Sequence, residues 1–507
     1  MLSMQRVSSG QAGSYYTADD YYLTEDKGQW YGSLCQAMGF GGGIKESDFA
    51  SLIQGVDPQG RFVVQSKITK EKEEHTAGVD FTFSAPKSVS VAALVLGDDK
   101  IQQHHDAAVK KALDYYEQNY AGVRVHSGKM VSYEQTKNSL VAMFKHVSSR
   151  ELDPQVHTHC VVMNMSLNEN GDVRAMDFGK GFDNKMLLGQ IYRSELAKSL
   201  SQAGYIIESD SKGLFELKGM PQELTEEFSQ RSQQIEVRFN ELLEEHPNRN
   251  HAELRQQACL ETRKVKDEPE LSVLLQQWED RAQAMINISQ LKQDLAESQF
   301  KIENATEKFT IESIISKAIK IETETEAAPK LENLLLSAMK LSVGQHTVKE
   351  LQEALDNNPE IVKLSDKNYT TLGIIESERQ IVEQVIAGRD KFADSIDSQL
   401  IQKEIKTYEL NKTIEAGSDR TLTAGQKDAI LHILSSKDNI IAIQGDAGTG
   451  KTTMLDVVRV IAEKENKEII GLSFTGKAAS EIQDASQIKS NTIDSALARD
   501  ESFNRVA

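Results

Sequence analysis

Two apolar, β-prone runs lie close together in the chain: Val141-Ala-Met-Phe-Lys-His-Val and Val156-His-Thr-His-Cys-Val-Val-Met-Asn-Met. The polar residues between them include Asp153 and Pro154. Two such runs separated by turn-forming residues are typical of a hairpin, here with a long connection. The sequence therefore predicts two neighbouring antiparallel strands at this point.

The segments that precede this hairpin alternate between strand and helix. Strands are predicted at Val79-Asp-Phe-Thr-Phe, where apolar and polar residues alternate, and at Arg61-Phe-Val-Val-Gln-Ser. Residues 100–120 change to a helical period, with one apolar stripe formed by Ile101, Ala108, Ala112 and Tyr115. This order favours an α+β domain on a largely antiparallel sheet, followed by helices from about residue 185 to 320.

Three histidines fall on the predicted hairpin. His157 and His159 are two residues apart on one strand, so both imidazoles project from the same face. Pairing of the hairpin can set His146 beside them. Three imidazoles that bind one ion leave coordination positions open, as in a catalytic metal site. The alternative is that these are ordinary histidines, hydrogen-bonded within a sheet.

Two tyrosine doublets, Tyr15-Tyr16 and Tyr21-Tyr22, lie near the N-terminus. A phenol has a pKa near 10, so it acts as a nucleophile only beside a base or a cation. A phosphodiester in turn reacts more readily when a divalent metal neutralises its charge. The doublets and the histidines together therefore suit attack by tyrosine on a DNA phosphate. Alternatively, the tyrosines are packing or interface residues, or stack on unpaired bases.

A phosphate-binding loop lies near the other end of the chain. Gly445-Asp-Ala-Gly448-Thr449-Gly450-Lys451-Thr452 fits the pattern GxxxxGK[ST], between a predicted strand at 439–444 and a predicted helix from Thr453. In such a loop the backbone N–H groups surround phosphates, the lysine reaches the β and γ phosphates, and the threonine binds Mg²⁺. We therefore expect ATP with Mg²⁺ at this loop.

Composition limits the other possibilities. A length of 507 residues predicts several domains, and no run is apolar and long enough to cross a membrane. The three cysteines have no CxxC spacing, which argues against disulfides or a thiolate zinc site. With no secretory signal at the N-terminus, we expect a cytoplasmic protein. The net charge of −19 is unusual for a DNA-binding protein, but most of the negative excess follows residue 200.

Several motifs together resemble the relaxase domain of MOBF-class conjugative relaxase-helicases, which are HUH endonucleases. They are Ala12-Gly-Ser-Tyr-Tyr-Thr, Asp20-Tyr-Tyr, Val79-Asp-Phe-Thr-Phe-Ser-Ala-Pro-Lys-Ser-Val-Ser, His146 and His157-Thr-His159-Cys-Val-Val. Their order and spacing are close to those of the family. The likeness continues through Gly189-Gln-Ile-Tyr-Arg-Ser-Glu-Leu to about residue 280.

The resemblance implies roles for individual residues. Tyr15 corresponds to the nicking nucleophile, and Tyr21 or Tyr22 to a tyrosine for a second transfer. His146, His157 and His159 correspond to the metal triad. Asp80 corresponds to a carboxylate that orients a metal-bound histidine and assists the nucleophile. Lys87 and Arg150 are candidate DNA contacts, although a solvated Lys87 is an equal alternative.

The resemblance also implies a substrate, a metal and partners. The substrate would be the single-stranded origin of transfer of a plasmid, beside a DNA hairpin, bound by a palm-like sheet with helical fingers. The metal would be Mg²⁺ or Mn²⁺, with Zn²⁺ as another option, because imidazoles accept several divalent ions. The partners would be a type IV coupling protein and accessory relaxosome proteins.

The C-terminal part resembles the start of a RecD-like superfamily 1 helicase. Gln426 in Leu422-Thr-Ala-Gly-Gln-Lys corresponds to the glutamine that reads adenine, and Ser473-Phe-Thr-Gly-Lys-Ala-Ala to a motif that faces DNA. No apolar strand ending in Asp-Glu follows, so we expect ATP hydrolysis and unwinding to be incomplete.

The expected domains are a relaxase at 1–295, a helical and winged connector at 296–418, and an incomplete P-loop domain at 419–507. We expect residues 300–345 to form a solvated helical connector and residues 346–375 a helix-plus-wing module. Two other functions stay open. The chain could act mainly as a helicase or translocase fragment, or as a non-catalytic DNA-binding remnant of a relaxase.

Overall fold

The computed structural model describes residues 2–9, 28–57, 60, 67–68, 73–263, 269–300, 309–365 and 367–499. They divide into two compact units, Met1–Thr370 and Thr371–Ala507. The domain boundaries predicted at 295 and 418 stay predictions. The strand predicted at 61–66 lies outside the described residues.

The first unit contains both strands and helices. Its strands are β1 (Leu2–Ser8), β2 (Gln29–Tyr31), β3 (Lys67–Ile68), β4 (Glu73–Glu74), β5 (Thr76–Ser84), β6 (Gly122–Ser127), β7 (Met130–Gln135), β8 (Val141–Ser148), β9 (Pro154–Met163), β10 (Ser166–Leu167), β11 (Val173–Arg174), β12 (Ile207–Ser209), β13 (Phe215–Leu217), β14 (Ile361–Lys363) and β15 (Tyr369–Thr371). Its helices are α1 (Leu34–Met38), α2 (Glu46–Ile53), α3 (Lys87–Leu94), α4 (Lys100–Tyr120), α5 (Gly179–Asp183), α6 (Lys185–Gln202), α7 (Gln222–Glu227), α8 (Gln230–Glu245), α9 (His251–Glu261), α10 (Leu271–Gln283), α11 (Ile288–Phe300), α12 (Ile311–Thr323), α13 (Leu331–Leu341) and α14 (Val348–Asp356).

A five-stranded sheet with the order β1-β5-β9-β8-β2 forms the centre of the first unit. All neighbouring strands in it are antiparallel. The predicted hairpin corresponds to β8 and β9, and the predicted strand Val79-Asp-Phe-Thr-Phe lies within β5. The predicted α+β fold with an antiparallel sheet is therefore confirmed.

Each face of this sheet packs against its own hydrophobic cluster, because successive strand residues point to opposite faces. Phe81, Phe83 and Cys160 belong to the larger cluster, to which the buried sides of α4 and α6 also contribute. Phe144 and Val161 face the smaller cluster, which includes residues of α1 and α2. The smaller cluster therefore covers the face to which Phe144 and its alternate neighbour His146 belong.

The helices near residue 320 do not form the solvated connector that the sequence suggested. Ile314 and Ile315 of α12 and Leu334 and Leu335 of α13 are almost completely buried in the larger cluster of the first unit. The expectation is wrong because Glu, Lys and Thr dominate the composition and conceal an apolar stripe with helical spacing. Beyond it, α14 and the pair β14–β15 form a helix followed by a two-stranded sheet.

The second unit consists of α15 (Leu372–Ala387), α16 (Ser398–Ala416), α17 (Ala424–Ser435), α18 (Lys451–Lys464), β16 (Ile470–Ser473), α19 (Gly476–Ser486), β17 (Lys489–Thr492) and α20 (Ile493–Ala498). Residues of α16, α17 and α18 share one core, and β16 and β17 pair in parallel. The strand predicted at 439–444 is wrong, since residues 441–446 have no regular structure. A strand requires hydrogen-bonded neighbours along its length. Ile440 forms a single bridge, and residues 441–446 pair with none of the described strands.

Candidate functional site

The three histidines lie together on one face of the central sheet. His146 on β8 is directly opposite His157 on β9, and His159 follows two residues later. The ring centres of His146 and His157 are 5.3 Å apart, and each lies 5.2 Å from the ring centre of His159. The sheet therefore brings the predicted triad into one cluster.

The spacing of these rings suits a shared ion. Imidazoles that bind one ion through nitrogen atoms about 2.1 Å from it, at near-tetrahedral angles, have ring centres roughly 5 Å apart. Within the described ranges, no group of three or more His, Cys, Asp or Glu side chains, as they stand, is arranged so that it could hold a metal ion. Because the ring torsion of histidine is broad, rotation about it can bring the nitrogen atoms to an ion without moving the strands.

A carboxylate orients one ring of the cluster. Oδ2 of Asp80, on β5, lies 2.6 Å from Nδ1 of His159. The hydroxyl of Thr82 lies 3.1 Å from the same nitrogen, and the side chain of Asp80 is only 10% exposed. Hydrogen bonding to a carboxylate keeps the proton on Nδ1 and leaves the lone pair on Nε2, the arrangement found in metal-binding histidines.

A backbone carbonyl does the same for a second ring. Nδ1 of His157 lies 2.9 Å from the carbonyl oxygen of Gln155, two residues earlier on β9. With the proton on Nδ1, Nε2 of His157 carries the lone pair. The family resemblance implied Asp80, but nothing in the sequence pointed to Thr82 or Gln155, whose contacts depend on strand register.

A buried histidine supports the site from the other face of the sheet. His105 on α4 lies between the hydroxyl of Tyr192, 2.8 Å from Nδ1, and that of Thr158, 2.9 Å from Nε2. Thr158 stands between His157 and His159 in β9. Burial lowers the pKa of His105 to about 3, so its imidazole is neutral. Sequence reasoning missed His105, although it falls on the apolar stripe of the predicted helix.

The two candidate DNA-contacting cations lie on different elements of the first unit. Lys87 begins α3, and its amino group donates a hydrogen bond of 2.9 Å to the carbonyl oxygen of Pro154. Burial lowers the pKa of Lys87 to about 8. Arg150 is half-buried in the connection between β8 and β9. Lys87 is therefore half-buried and hydrogen-bonded to a carbonyl oxygen, and DNA contacts for both residues stay predictions.

The four tyrosines Tyr15, Tyr16, Tyr21 and Tyr22 lie outside the described residues. The next described residue is Gly28, which has φ of +62°. A Cβ atom there would lie 2.8 Å from Cδ1 of Phe144 and 2.9 Å from the carbonyl oxygen of Met143. Phe144 is directly opposite His159. Gly28 is therefore held against the strand that carries His146.

In the phosphate-binding loop of the second unit, the lysine side chain is hydrogen-bonded to carbonyl oxygens of the loop itself. Nζ of Lys451 donates to the carbonyl oxygens of Gly445 and Asp446, at 2.6 and 2.7 Å. Gly448 and Gly450 have φ of +78° and +77°, a region that favours glycine. The loop ends at the N-terminus of α18, where Thr452 is half-buried and Thr453 exposed.

Gln426 contacts this loop directly. Its side-chain Nε2 donates to the carbonyl oxygens of Thr449 and Gly450, at 3.1 and 3.2 Å. Its Oε1 accepts from the backbone N–H of Thr423, completing a capping box at the start of α17. The structure thus brings together the glutamine and the loop that the sequence placed about twenty residues apart.

Comparison with known proteins identifies the family to which the first unit is similar. Residues 9–285 match the model of the TrwC relaxase family. The chain belongs to the TrwC relaxase family. The resemblance to conjugative relaxases is therefore confirmed, and a match of residues 421–507 to an AAA domain agrees with its helicase part. No helix among the described residues is both long enough and apolar enough to span a membrane.

Relatives within and around the TrwC relaxase family show how far the similarity extends. The multifunctional conjugation protein TraI of Escherichia coli is 35% identical over 293 residues, or 55% of this chain. This match covers only 16% of the TraI chain. The conjugative relaxase TrwC in complex with OriT DNA is similar in a metal-free structure (31% identity, TM-score 0.52) and in a metal-bound structure (33%, 0.51). Each covers 57% of this chain and 100% of the TrwC chain.

Proposed function

We propose that the first unit is a site- and strand-specific nickase that cuts and rejoins one DNA strand at a plasmid origin of transfer, and so initiates conjugation. The observation that carries this proposal is the cluster of His146, His157 and His159, with Asp80 bound to His159 at 2.6 Å. Membership of the TrwC relaxase family, and the OriT DNA bound by TrwC itself, support it further.

The histidine cluster would hold the metal. His146, His157 and His159 supply imidazole nitrogens, which suit a divalent ion, and their ring spacing fits one. Mg²⁺ or Mn²⁺ is the proposed ion, with Zn²⁺ as another option. When bound, the ion would act as a Lewis acid that withdraws charge from the phosphate to be cut.

Tyr15 is the proposed nucleophile. Its phenol oxygen attacks the phosphorus, and the bond from phosphorus to the 3′ oxygen of the neighbouring nucleotide breaks. The proton released by the phenol ends on that 3′ oxygen, and the DNA stays linked through a 5′-phosphotyrosine. Because one ester replaces another, attack by a 3′ hydroxyl reverses the step and rejoins the strand. Asp80 would assist by holding His159 in place.

Tyr21 or Tyr22 is proposed to perform a second transfer, with Tyr16 beside the first nucleophile. Tyr22 precedes Gly28 by six residues, and six residues of extended chain cover at most about 21 Å. Gly28 itself is fixed against Phe144, opposite His159. The position of Gly28 thus supports a second tyrosine within reach of the histidine cluster.

The second unit is proposed to bind ATP with Mg²⁺. Gly445, Gly448, Thr449, Gly450 and Lys451 would surround the phosphates. Thr452 would bind the magnesium ion, Thr453 would add its N–H at the helix start, and Gln426 would contact the base. Phosphates would replace the carbonyl oxygens that Lys451 now contacts. We further propose that the protein works in the cytoplasm, with a type IV coupling protein and accessory relaxosome proteins, and that Lys87 and Arg150 contact DNA.

One assay separates the candidate functions. The full chain is incubated with single-stranded origin oligonucleotide and Mn²⁺, and the products are run on a denaturing gel. If the protein is a nickase, we expect a covalent adduct between protein and DNA. The adduct should not form with a chelator present or in Tyr15→Phe, but should still form in Tyr16→Phe. A helicase or translocase fragment would show DNA-stimulated ATPase without an adduct. A non-catalytic remnant would only bind the DNA, and either of these two results would refute the proposal.

A further inference from the structure

The connection between β8 and β9 has an unusual backbone conformation. Leu152 has φ of +58°, in the left-handed region that branched side chains rarely adopt. Within the connection, the backbone N–H of Ser149 donates to the carbonyl oxygen of Asp153 at 2.8 Å. Such a conformation persists when surrounding contacts hold it in place.

Helix α10 supplies two of these contacts. Nε1 of Trp278, a residue only 1% exposed, donates to the carbonyl oxygen of Leu152 at 2.7 Å. One turn later, both terminal nitrogens of Arg281 lie 3.4 Å from Oδ1 of Asp153. Arg281 is itself fixed by Glu227, whose Oε1 accepts from Nη2 at 2.9 Å.

Other elements hold the same three residues. The backbone N–H of Gln230, at the start of α8, donates to Oδ2 of Asp153 at 3.0 Å. Lys87 donates to the carbonyl oxygen of Pro154, the first residue of β9. Burial raises the pKa of the Asp153 carboxyl, while Lys87 and Arg281 lower it. Three consecutive residues, 152–154, are therefore fixed from three separate helices.

These residues stand next to an irregularity in the strand pairing. His146 is opposite His157 and Ser148 is opposite Pro154, so one residue of β8 faces two residues of β9. One of those two is Gln155, whose carbonyl oxygen lies 2.9 Å from Nδ1 of His157. A slip by one residue here would turn the histidines of β9 to the other face of the sheet. The conformation of 152–154 therefore controls where His157 points.

We infer that Trp278 and Arg281 are positioning residues for the metal site: by holding Leu152 and Asp153, they fix the register of β9 and the orientation of His157. They touch neither the ion nor the DNA. This inference rests on the proposed function, because it concerns the ability of the histidine cluster to bind a divalent ion.

The test measures Mn²⁺ affinity of the full chain by titration calorimetry, for Trp278→Phe, Arg281→Leu and Arg281→Lys. Loss of a group that orients metal ligands typically weakens binding about 10- to 100-fold, which we expect for Arg281→Leu. Trp278→Phe keeps the ring but loses the donor, and Arg281→Lys keeps the charge, so smaller losses are expected. Saturating Mn²⁺ should restore adduct formation. The control is Arg124→Leu. Arg124 forms an ion pair with Asp177, 2.6 Å from Nε to Oδ2, and neither residue belongs to the β8–β9 connection.

Mn²⁺ affinities of Arg281→Leu and Trp278→Phe equal to that of Arg124→Leu would overturn the inference. Circular dichroism shows whether each variant folds, and if Arg281→Leu does not fold, Trp278→Phe alone decides. If the unaltered chain neither binds Mn²⁺ nor forms an adduct, the proposed function itself fails. If it does both and the variants match it, only the positioning role fails.

Discussion

The carboxylate of Asp80 and Nδ1 of His159 lie 2.6 Å apart, across the pairing of β5 with β9. Asp80 is 8% exposed, so it interacts with the imidazole in a region with little water to weaken the contact. A carboxylate in this place fixes the orientation of the ring. The contact joins β5 to the candidate metal site on β8 and β9.

Replacement of Asp80 by Asn should weaken divalent metal binding. The amide keeps the shape of the side chain but removes the charge that orients His159, so we expect Mn²⁺ affinity to fall about 10- to 100-fold. Titration calorimetry on the full chain measures this. Asp172→Asn is the control, because Asp172 forms an exposed ion pair with Arg174. Equal affinities for the two variants would contradict the role given to Asp80.

His105 should make the fold sensitive to acid. Burial lowers its pKa from 6.5 to about 3 in the folded chain. Below pH 6.5 the unfolded chain therefore binds a proton that the folded chain does not, and stability falls as the pH decreases towards 3. At about pH 5, this costs up to about 2 kcal/mol of unfolding free energy. His105→Gln should lose stability less steeply between pH 7 and 5 than the unaltered chain.

The measurement is urea denaturation with a chelator present, so that metal release does not contribute. His246→Gln, at an exposed position, should follow the unaltered chain. Parallel pH profiles for His105→Gln and the unaltered chain would show that His105 is not a neutral, buried group.

Lys451→Ala should weaken ATP binding at least about tenfold, because the lysine supplies the positive charge next to the β and γ phosphates. Adduct formation should not change, since the histidine cluster belongs to the first unit. Binding of a fluorescent ATP analogue measures the effect. The control is Lys464→Ala, at the other end of the same helix, where the lysine forms an ion pair with Glu404. A loss of equal size in Lys464→Ala would contradict this assignment.

Ile315→Ala should destabilise the first unit, although Ile315 lies in a segment rich in Glu and Lys. Ile315 is 1% exposed within the main core, and truncation of such a side chain costs about 2–5 kcal/mol. Chemical denaturation followed by circular dichroism provides the free energy. Ile321→Ala is the matched control on the same helix, because Ile321 is 47% exposed. If both variants lose the same small amount, α12 does not belong to the core.

The sequence predicted the parts of the fold that depend on local periodicity. The alternation at Val79 predicted one strand, and the paired runs around His146 and His157 predicted a hairpin. The spacing of His157 and His159 placed both on one face, and the hairpin could set His146 beside them. Pairing of β1 with β5 and of β2 with β8 could not be predicted, because these contacts join segments far apart in the chain. The hairpin of β12 and β13 was missed for another reason: each strand has only three residues.

The candidate site was predictable in its ligands and not in their surroundings. The spacing of the histidines predicted the triad, and the family resemblance implied Asp80. The hydroxyl of Thr82, the carbonyl of Gln155 and the buried His105 depend on three-dimensional register. The strand expected before Gly445 failed for a related reason, since apolar residues alone do not supply a pairing partner.

The hydrogen bond from Trp278 to Leu152 also has a spectroscopic consequence. The chain contains two tryptophans, Trp278 and Trp30, and both belong to the first unit. Trp30 lies in the smaller cluster, on the same face of the sheet as the histidines, and Trp278 lies at the β8–β9 connection. Indole emission therefore reports on the relaxase unit alone, and its red shift during denaturation separates the melting of that unit from the melting of the nucleotide-binding one.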